Sequence, residues 1–227
     1  MTATPIPGAP SVPPHPAVFS EALYDVFLET LTDYGHIGDA ILDPMAGTGG
    51  IHRLRTFGYR TVGVELEPGW ARSHPGTLVG NAAALPFEDE TFDFIITSPA
   101  FGNRLADHHE AKDPSHRRTY RHYLGHQLNP LNTGQFQWGQ QYRIMHALIW
   151  YEARRVLRRG GYLVLDIKDH VRQGKRQHVS NWHYQYLWGL GFDLLDVIRV
   201  DVNNYGFGQN RELRLPERVL VFKESAS

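Results

Sequence analysis

Apolar residues along this chain form two kinds of run. Short continuous runs that end at a glycine, a proline or an acidic residue indicate buried strands, and the clearest of them lie at residues 40–43, 60–65, 93–97, 162–167, 194–200 and 218–222. Apolar residues that recur every three or four positions indicate amphipathic helices, and they do so at residues 19–35, 142–157 and 179–190. Strands that alternate with helices predict an α/β fold built on a mostly parallel sheet.

The first strand runs into a glycine-rich turn. Asp43 and Pro44 end the apolar run, and Gly47, Gly49 and Gly50 follow. Because glycine has no side chain, the backbone at these positions can approach a ligand closely. The turn predicts a cofactor-binding corner; a tight strand-to-helix connection without a ligand is the alternative that the turn alone leaves open.

The next strand ends in an acidic residue. A short helix at residues 51–57 and a second strand at residues 60–65 follow the turn, and that strand closes with Glu65. An acid about 20 residues beyond such a turn, at the carboxyl end of the following strand, is placed to accept hydrogen bonds from both hydroxyls of a ribose. Glu65 is therefore the predicted ribose ligand.

A tetrapeptide follows the third strand. The segment Ser98-Pro99-Ala100-Phe101 begins where the apolar run at residues 93–97 ends, and Gly80-Asn81-Ala82 precedes that run. With the glycine turn and Glu65, this order resembles the S-adenosylmethionine-dependent methyltransferases that modify exocyclic amines of nucleic-acid bases. Their hallmark tetrapeptide is Asp, Asn or Ser, then Pro-Pro, then an aromatic residue. The serine form is typical of enzymes that make N4-methylcytosine and also occurs with adenine as the target, and this chain departs from it at Ala100.

The resemblance implies a fold and a cofactor. The fold is a single Rossmann-like class I methyltransferase domain, with a seven-stranded, mostly parallel sheet whose last strand is antiparallel, and the cofactor is S-adenosylmethionine. The segment at residues 15–20 resembles the amino-terminal motif that packs against the methionine end of the cofactor. The implied cofactor-binding residues are His15, Phe19, Asp43, Pro44, Ala46, Gly47, Gly49, Glu65, Leu66, Asn81 and Ala82.

The tetrapeptide supplies the predicted catalytic residues: Ser98, Pro99 and Phe101. A target base flipped out of the helix would stack on Phe101. Its amino group would donate hydrogen bonds to the Ser98 side-chain oxygen and the Pro99 carbonyl, which would direct the nitrogen lone pair at the methyl group. Ala100 removes neither acceptor, so the sequence predicts an active enzyme.

Composition and length narrow these expectations. A chain of 227 residues is long enough for one α/β domain with an insertion, and we expect a flexible arm at residues 1–14 and the methyltransferase domain at residues 15–227. The absence of cysteine excludes disulfides, thiolate zinc sites and the cysteine-dependent methylation of cytosine carbon five. No apolar run reaches the length of a membrane span and no leader opens the chain, so we expect a soluble, cytoplasmic protein without a membrane partner.

Charge points to two candidate nucleic-acid contacts. The net charge is only −1, but residues 153–176 contain eight basic residues against two acidic ones, which predicts a phosphate-contacting region or a solvated helix face. Residues 102–141 form a polar insertion, rich in histidine, arginine and tyrosine, that we interpret as a lid or a target-recognition element. The candidate substrate-binding residues are Arg104, Arg117, Arg118, Arg121 and His170. The cluster at residues 107–110 lacks ligand spacing, so no metal site is predicted.

DNA is the favoured partner, with cytosine favoured over adenine as the target, in a restriction-modification or phage context. One alternative is RNA, because guanine-amine methyltransferases of transfer RNA share a similar turn and tetrapeptide, although they usually carry a separate RNA-binding domain. The other is a cofactor-binding module without turnover, an interpretation that Ala100 keeps open.

Overall fold

A seven-stranded sheet runs through the computed structural model, which describes residues 13–103, 119–201 and 215–225. Its strands are β1 (Ala40–Asp43), β2 (Arg60–Glu65), β3 (Thr77–Val79), β4 (Phe92–Thr97), β5 (Leu157–Lys168), β8 (Phe192–Val200) and β9 (Glu217–Glu224). Across the sheet their order is β3-β2-β1-β4-β5-β9-β8. Strand β9 is antiparallel to both β5 and β8, while the pairs from β3 to β5 are parallel. The predicted sheet and its antiparallel last strand are confirmed.

Helices cover both faces of the sheet. They are α1 (Glu21–Tyr34), α2 (Pro68–Ala71), α3 (Tyr120–Leu124), α4 (Gln140–Val156) and α5 (Val179–Gly189), with two 3-10 helices at Gly50–Phe57 and Thr133–Gln135. A small hairpin of β6 (His170–Arg172) and β7 (Lys175–Gln177) stands apart from the main sheet. The predicted arm lies outside the described residues except for Pro13 and Pro14.

Two apolar cores lie on opposite faces of the sheet, because side chains alternate along each strand. On β4, Phe94 and Ile96 join the core that contains α1, while Ile95 joins the core that contains α4 and α5. A helix begins where its first N–H groups find an acceptor, and the Ser20 side chain accepts from the backbone N–H of Leu23 at the start of α1. The domain is therefore a three-layer α/β/α sandwich.

One boundary differs from the sequence prediction. The sequence predicts a helix over residues 142–157 and a strand over residues 162–167, but α4 ends at Val156 and β5 already begins at Leu157. Leu157 already pairs with Phe92 of β4, and the register shifts between Phe92 and Phe94. Tertiary pairing of the strand thus ends the helix before Gly160 and Gly161 are reached.

The sheet order positions the functional edge. Strand β1 lies between β2 and β4. From β1 the sheet is extended on one side by β2 and β3 and on the other side by β4 and β5, so the strand order reverses at β1. Ligands of open α/β sheets bind at the carboxyl ends of the strands where the order reverses. Both the glycine turn after β1 and the tetrapeptide after β4 lie at this edge. In the described part of the chain, none of the helices is both long enough and apolar enough to cross a membrane.

Candidate active site

The three glycines of the glycine turn (residues 44–50) have little or no room for a side chain at their own positions. Gly47 and Gly49 have φ angles of 53° and 86°, which residues with a side chain rarely adopt. A Cβ atom on Gly47 would lie 3.2 Å from the His15 ring. The amino-terminal segment at His15 therefore packs directly on the turn.

Glu65 is held in place by the backbone. Its Oε2 atom accepts a hydrogen bond from the Gly47 N–H at 2.9 Å, and its Oε1 atom accepts one from the Glu67 N–H at 2.8 Å. The residue is only 7% exposed, and burial raises the pKa of Glu65 to about 7. Each carboxylate oxygen has a second lone pair, so Glu65 can still accept from a ligand.

A cleft at the carboxyl edge brings many of the predicted residues together. Predicted residues that line it are His15, Pro44, Glu65, Leu66, Asn81, Ala82 and Ser98. The Asn81 side chain accepts from the Ala83 N–H at 2.9 Å, which fixes the loop after β3. The cleft thus joins the two ends of the proposed site, Glu65 and Ser98.

The other predicted cofactor residues lie behind the cleft. Asp43 is buried, and its Oδ1 atom accepts from the Thr97 hydroxyl at 2.7 Å and the Met45 N–H at 3.1 Å. Burial raises the pKa of Asp43 to about 7. Phe19 packs edge-on against Tyr24 and Phe27. Ala46 is buried, and Gly49 lies between His52 and His74. These residues shape the turn rather than face the cleft.

Ser98 is bound to a carboxylate that the sequence analysis missed. Its hydroxyl donates to Asp166 Oδ2 at 2.8 Å. Asp166 is 1% exposed, and its Oδ1 atom has no hydrogen-bond partner within the described residues. Burial, followed by the negative charge of Glu217, raises the pKa of Asp166 well above its ordinary value. In the sequence, Asp166 stands out only as an acidic residue inside the apolar run of β5.

The other three residues of the tetrapeptide have different surroundings. Pro99 is buried, Ala100 lines the cleft, and Phe101 packs partly buried against the core on the α4 side. The carbonyl of Gly102 accepts from the Trp138 N–H at 2.8 Å. Phe101 and Trp138 therefore pack against the same core, and the backbone directly after Phe101 is hydrogen-bonded to Trp138.

The cleft is covered on one side by the second half of the predicted insertion, here called the covering segment (residues 119–135). Its residues Tyr120, Leu131, Asn132, Thr133 and Gly134 line the cleft. Glu67 Oε1 holds the segment by accepting from the Asn129 N–H at 2.7 Å and from Asn132 Nδ2 at 2.8 Å. The contact joins the loop after β2 to the covering segment.

Three aromatic rings close the same end of the cleft. The His15 ring lies edge-on to Trp70, with centroids 4.5 Å apart, and 5.7 Å from Tyr120. Burial lowers the pKa of His15. The Trp70 Nε1 atom is buried and has no acceptor among the residues described.

The predicted substrate residues are only partly placed. Arg104, Arg117 and Arg118 lie outside the described residues, as do residues 107–110. Arg121 lies on α3, half-buried, and His170 begins the β6 strand, opposite Gln177. Among the described residues there is no group of three or more histidine and acidic side chains suited to hold a metal ion.

Six of the eight basic residues at residues 153–176 form salt bridges, most of them with acids that lie far along the chain. The pairs are Arg154–Glu224, Arg155–Asp89, Arg155–Glu152, Arg158–Asp93, Arg159–Glu90, Lys168–Glu217 and Arg176–Asp169. Arg158 and Arg159 also lie at the start of β5, at the edge opposite the tetrapeptide. A phosphate-contacting region over this whole stretch is therefore not supported.

Comparison with known proteins agrees with the fold. No family model and no curated protein matches the chain. Among solved structures, an S-adenosylmethionine-dependent methyltransferase from Methanosarcina mazei superposes with a TM-score of 0.57 at 16% identity over 87% of this chain and 98% of that one. The fold is that of class I methyltransferases.

Two further structures of this fold have names that state their acceptors. A putative sarcosine dimethylglycine methyltransferase from Galdieria sulphuraria has a TM-score of 0.60 at 12% identity, over 91% of this chain and 85% of that chain. Magnesium protoporphyrin IX methyltransferase from Synechocystis, solved with bound S-adenosylmethionine, has a TM-score of 0.53 at 14% identity, over 89% and 78%. Their acceptors differ widely, so the shared fold does not select an acceptor.

Proposed function

We propose that this protein binds S-adenosylmethionine in the cleft and transfers its methyl group to the exocyclic amine of a DNA base, with cytosine favoured over adenine. The observation that carries the proposal is the position of Ser98 and Pro99. They follow β4 at the edge where Glu65 ends β2, and Ser98 and Glu65 line one cleft.

The residues around the cleft fit this cofactor. The glycines of the turn carry no side chains, so the backbone there can approach a ligand closely. The spare lone pairs of Glu65 suit ribose hydroxyls, and Leu66 and Asn81 would flank the adenine. The buried Trp70 N–H, which lacks an acceptor within the described residues, could donate to a polar atom of the ligand. When bound, S-adenosylmethionine supplies an electrophilic methyl group attached to a positively charged sulfur.

Ser98 and Pro99 supply the chemistry that the amine needs. An exocyclic amine is a poor nucleophile, because its lone pair is delocalised into the ring. Since the Ser98 hydroxyl directs its own hydrogen to Asp166, its lone pairs remain to accept an N–H of the base. The Pro99 carbonyl would accept the second N–H. Together the two acceptors favour a tetrahedral nitrogen whose lone pair points away from the ring.

Asp166 would support Ser98 in this role. The amine must lose one proton in the reaction, and the Ser98 hydroxyl can pass a proton to an ionised Asp166 as it receives one from nitrogen. A raised pKa makes the ionised form of Asp166 a stronger base for this proton. Ala100 leaves both acceptors in place, which supports an active enzyme over a module without turnover.

Transfer of tritiated methyl groups tests the proposal. The purified protein would be incubated with labelled S-adenosylmethionine in three separate reactions, which contain DNA, transfer RNA or sarcosine. The nucleosides of the two nucleic acids would then be analysed. We expect label in DNA as N4-methylcytosine. Label only in guanine of RNA or only in sarcosine would reject the DNA assignment, and cofactor binding without label in any acceptor would leave the binding-module interpretation.

A further inference from the structure

A row of partly exposed aromatic side chains begins next to the tetrapeptide. We define the aromatic row as Trp138, Trp182 and Tyr186. The backbone of Trp138 lies directly against the backbone that follows Phe101. Its N–H donates to the Gly102 carbonyl at 2.8 Å, and a Cβ atom on Gly102 would lie 2.8 Å from the Trp138 backbone nitrogen. The Trp138 and Trp182 centroids are 6.0 Å apart, and Trp182 stacks on Tyr186 at 5.4 Å with an interplanar angle of 20°. The row leads from the tetrapeptide along α5.

Positive charge lies beside the row. The Arg143 guanidinium lies over the Trp138 ring, 5.4 Å from its centroid. The β6–β7 hairpin presents Arg172 and Lys175 on either side of a turn at Gln173 and Gly174, both of which have positive φ angles. Arg172 and Lys175 are exposed, and neither forms a salt bridge with another described residue. Within the described basic region, Arg172 and Lys175 are therefore the cations whose charge is not offset by a salt bridge.

The hairpin and the row are joined by Asp169. Its Oδ1 atom accepts from the Ser180 N–H and the Ser180 hydroxyl, both at 2.9 Å, and its Oδ2 atom accepts from Arg176. Ser180 lies in the first turn of α5, two positions before Trp182. Because Asp169 ties the base of the hairpin to this turn, the hairpin begins beside the helix that carries Trp182 and Tyr186. We treat the hairpin cations and the aromatic row together as one candidate surface.

We propose that this surface binds unpaired nucleotides next to the target base, so that the protein prefers single-stranded nucleic acid to a duplex. The inference deepens the proposed function, because it names the form of the substrate. Aromatic side chains bind nucleotides by stacking on the faces of bases, which are accessible in a single strand and hidden in a duplex. Arg172 and Lys175 would contact the phosphates of that strand.

The charge of the molecule favours the same form. The formal net charge is −1, and two cations of the basic region at the carboxyl edge, Lys168 and Arg176, are paired with Glu217 and Asp169. Binding to duplex DNA depends strongly on many phosphate contacts. A short basic hairpin combined with stacking residues is better suited to one flexible strand than to two paired ones.

Binding of a fluorescent oligonucleotide tests the stacking part. Affinity would be measured by anisotropy, without cofactor, for a single strand and for its duplex. We expect tighter binding of the single strand and about tenfold or greater weakening in Trp182→Ala, with partial recovery in Trp182→Phe. Trp188→Ala is the matched control, because Trp188 lies on the same helix, is 65% exposed and is not in the row. Equal affinity for both forms, or unchanged affinity in a folded Trp182→Ala variant, would overturn the proposal.

The salt dependence of the same binding tests the hairpin. Removing Arg172 and Lys175 together should lower the slope of log affinity against log salt by about 1.4, since each phosphate contact on a single strand contributes about 0.7. Arg159→Ala should leave the slope unchanged, because this exposed arginine pairs with Glu90 at the opposite edge. An unchanged slope in the double variant would remove the hairpin from the surface.

These outcomes separate the inference from the proposed function. Single-strand binding that needs Trp182, in a protein that methylates nothing, would keep the surface and reject the function. Methylation of DNA by a Trp182→Ala variant with wild-type affinity would keep the function and reject the surface.

Discussion

Glu65 accepts hydrogen bonds from the backbone of Gly47 and Glu67, and we propose that it also binds the ribose of the cofactor. Two variants of Glu65 test these roles at the residue scale. Glu65→Ala removes the proposed ribose acceptor and also leaves the N–H groups of Gly47 and Glu67 without their acceptor. We expect S-adenosylmethionine affinity to fall tenfold or more, with about 1 to 3 kcal/mol of stability lost for each unsatisfied group. Glu65→Gln keeps one acceptor oxygen, so its S-adenosylmethionine affinity and its stability should lie between those of the wild type and those of Glu65→Ala. Calorimetric titration that gives wild-type affinity for Glu65→Ala would remove Glu65 from the site.

Gly47 provides a second test at this scale, with Gly38 as its control. Both residues have positive φ angles, 53° and 95°, so alanine at either should cost roughly 1 to 3 kcal/mol of stability. Only at Gly47 would the added Cβ meet another residue, the His15 ring; nothing lies within 4 Å at Gly38. Cofactor affinity should therefore fall in Gly47→Ala and stay unchanged in Gly38→Ala. Equal affinities in the two variants would contradict the packing of His15 on the turn as a binding feature.

Residues at strand ends could be predicted from sequence, and residues inside strands could not. Glu65 and Ser98 each follow an apolar run, and their positions relative to the glycine turn indicate a site. Asp166 lies within such a run, 68 positions from Ser98, and no local pattern links a hydroxyl to a distant carboxylate. Its contact with Ser98 exists only because β4 and β5 pair in register.

Glu67 controls the covering segment at the element scale. Glu67→Ala would leave the Asn129 N–H and the Asn132 amide without their acceptor, so the segment should open more often. We expect faster hydrogen exchange in residues 126–135 and a several-fold loss of cofactor affinity. Asn132→Ala, which removes one of the two bonds, should have a smaller effect. Mass spectrometry that finds the same exchange in Glu67→Ala and wild type would contradict this role.

Element prediction succeeded where the pattern was long. The helices α1, α4 and α5 have several turns of apolar spacing, and each was predicted. Strand β3 and the hairpin strands β6 and β7 have three residues each, too few for a pattern to identify. The basic region was misjudged because a count along the chain cannot include acids such as Glu224 and Asp93, which other strands bring to it.

Buried ionisable groups set the pH dependence of the whole molecule. Burial raises the pKa values of Asp43 and Glu65 to about 7 and lowers those of His52 and His146 to about 4. Between about pH 4.5 and 6.5 the folded state holds carboxyl protons that the unfolded chain has released, which lowers stability as pH rises. The histidines oppose this, because there the unfolded chain holds their protons.

Unfolded histidines are half protonated at about pH 6.5 and largely neutral only above about pH 7.5, where the carboxyl effect dominates. Between about pH 7.5 and 9 the free energy of unfolding should therefore decrease by about 0.3 kcal/mol from Asp43 and Glu65 together, and further from Asp166, which acts in the same direction. Urea unfolding at several pH values measures this decrease. Asp43→Asn should make it shallower. A stability that rises over this range would show that these carboxyls are not buried as described.

The central claim is that Ser98 acts on the amine and not on the cofactor. Single-turnover methyl transfer to DNA, measured beside calorimetric binding of S-adenosylmethionine, tests it in Ser98→Ala. We predict a rate about a hundredfold lower or more, close to 2.7 kcal/mol of transition-state stabilisation, with cofactor affinity unchanged. Ser225→Ala, which removes a hydroxyl bound to Asp193 beyond the end of β9, should behave as wild type. Methyl transfer at the wild-type rate by Ser98→Ala would contradict the account.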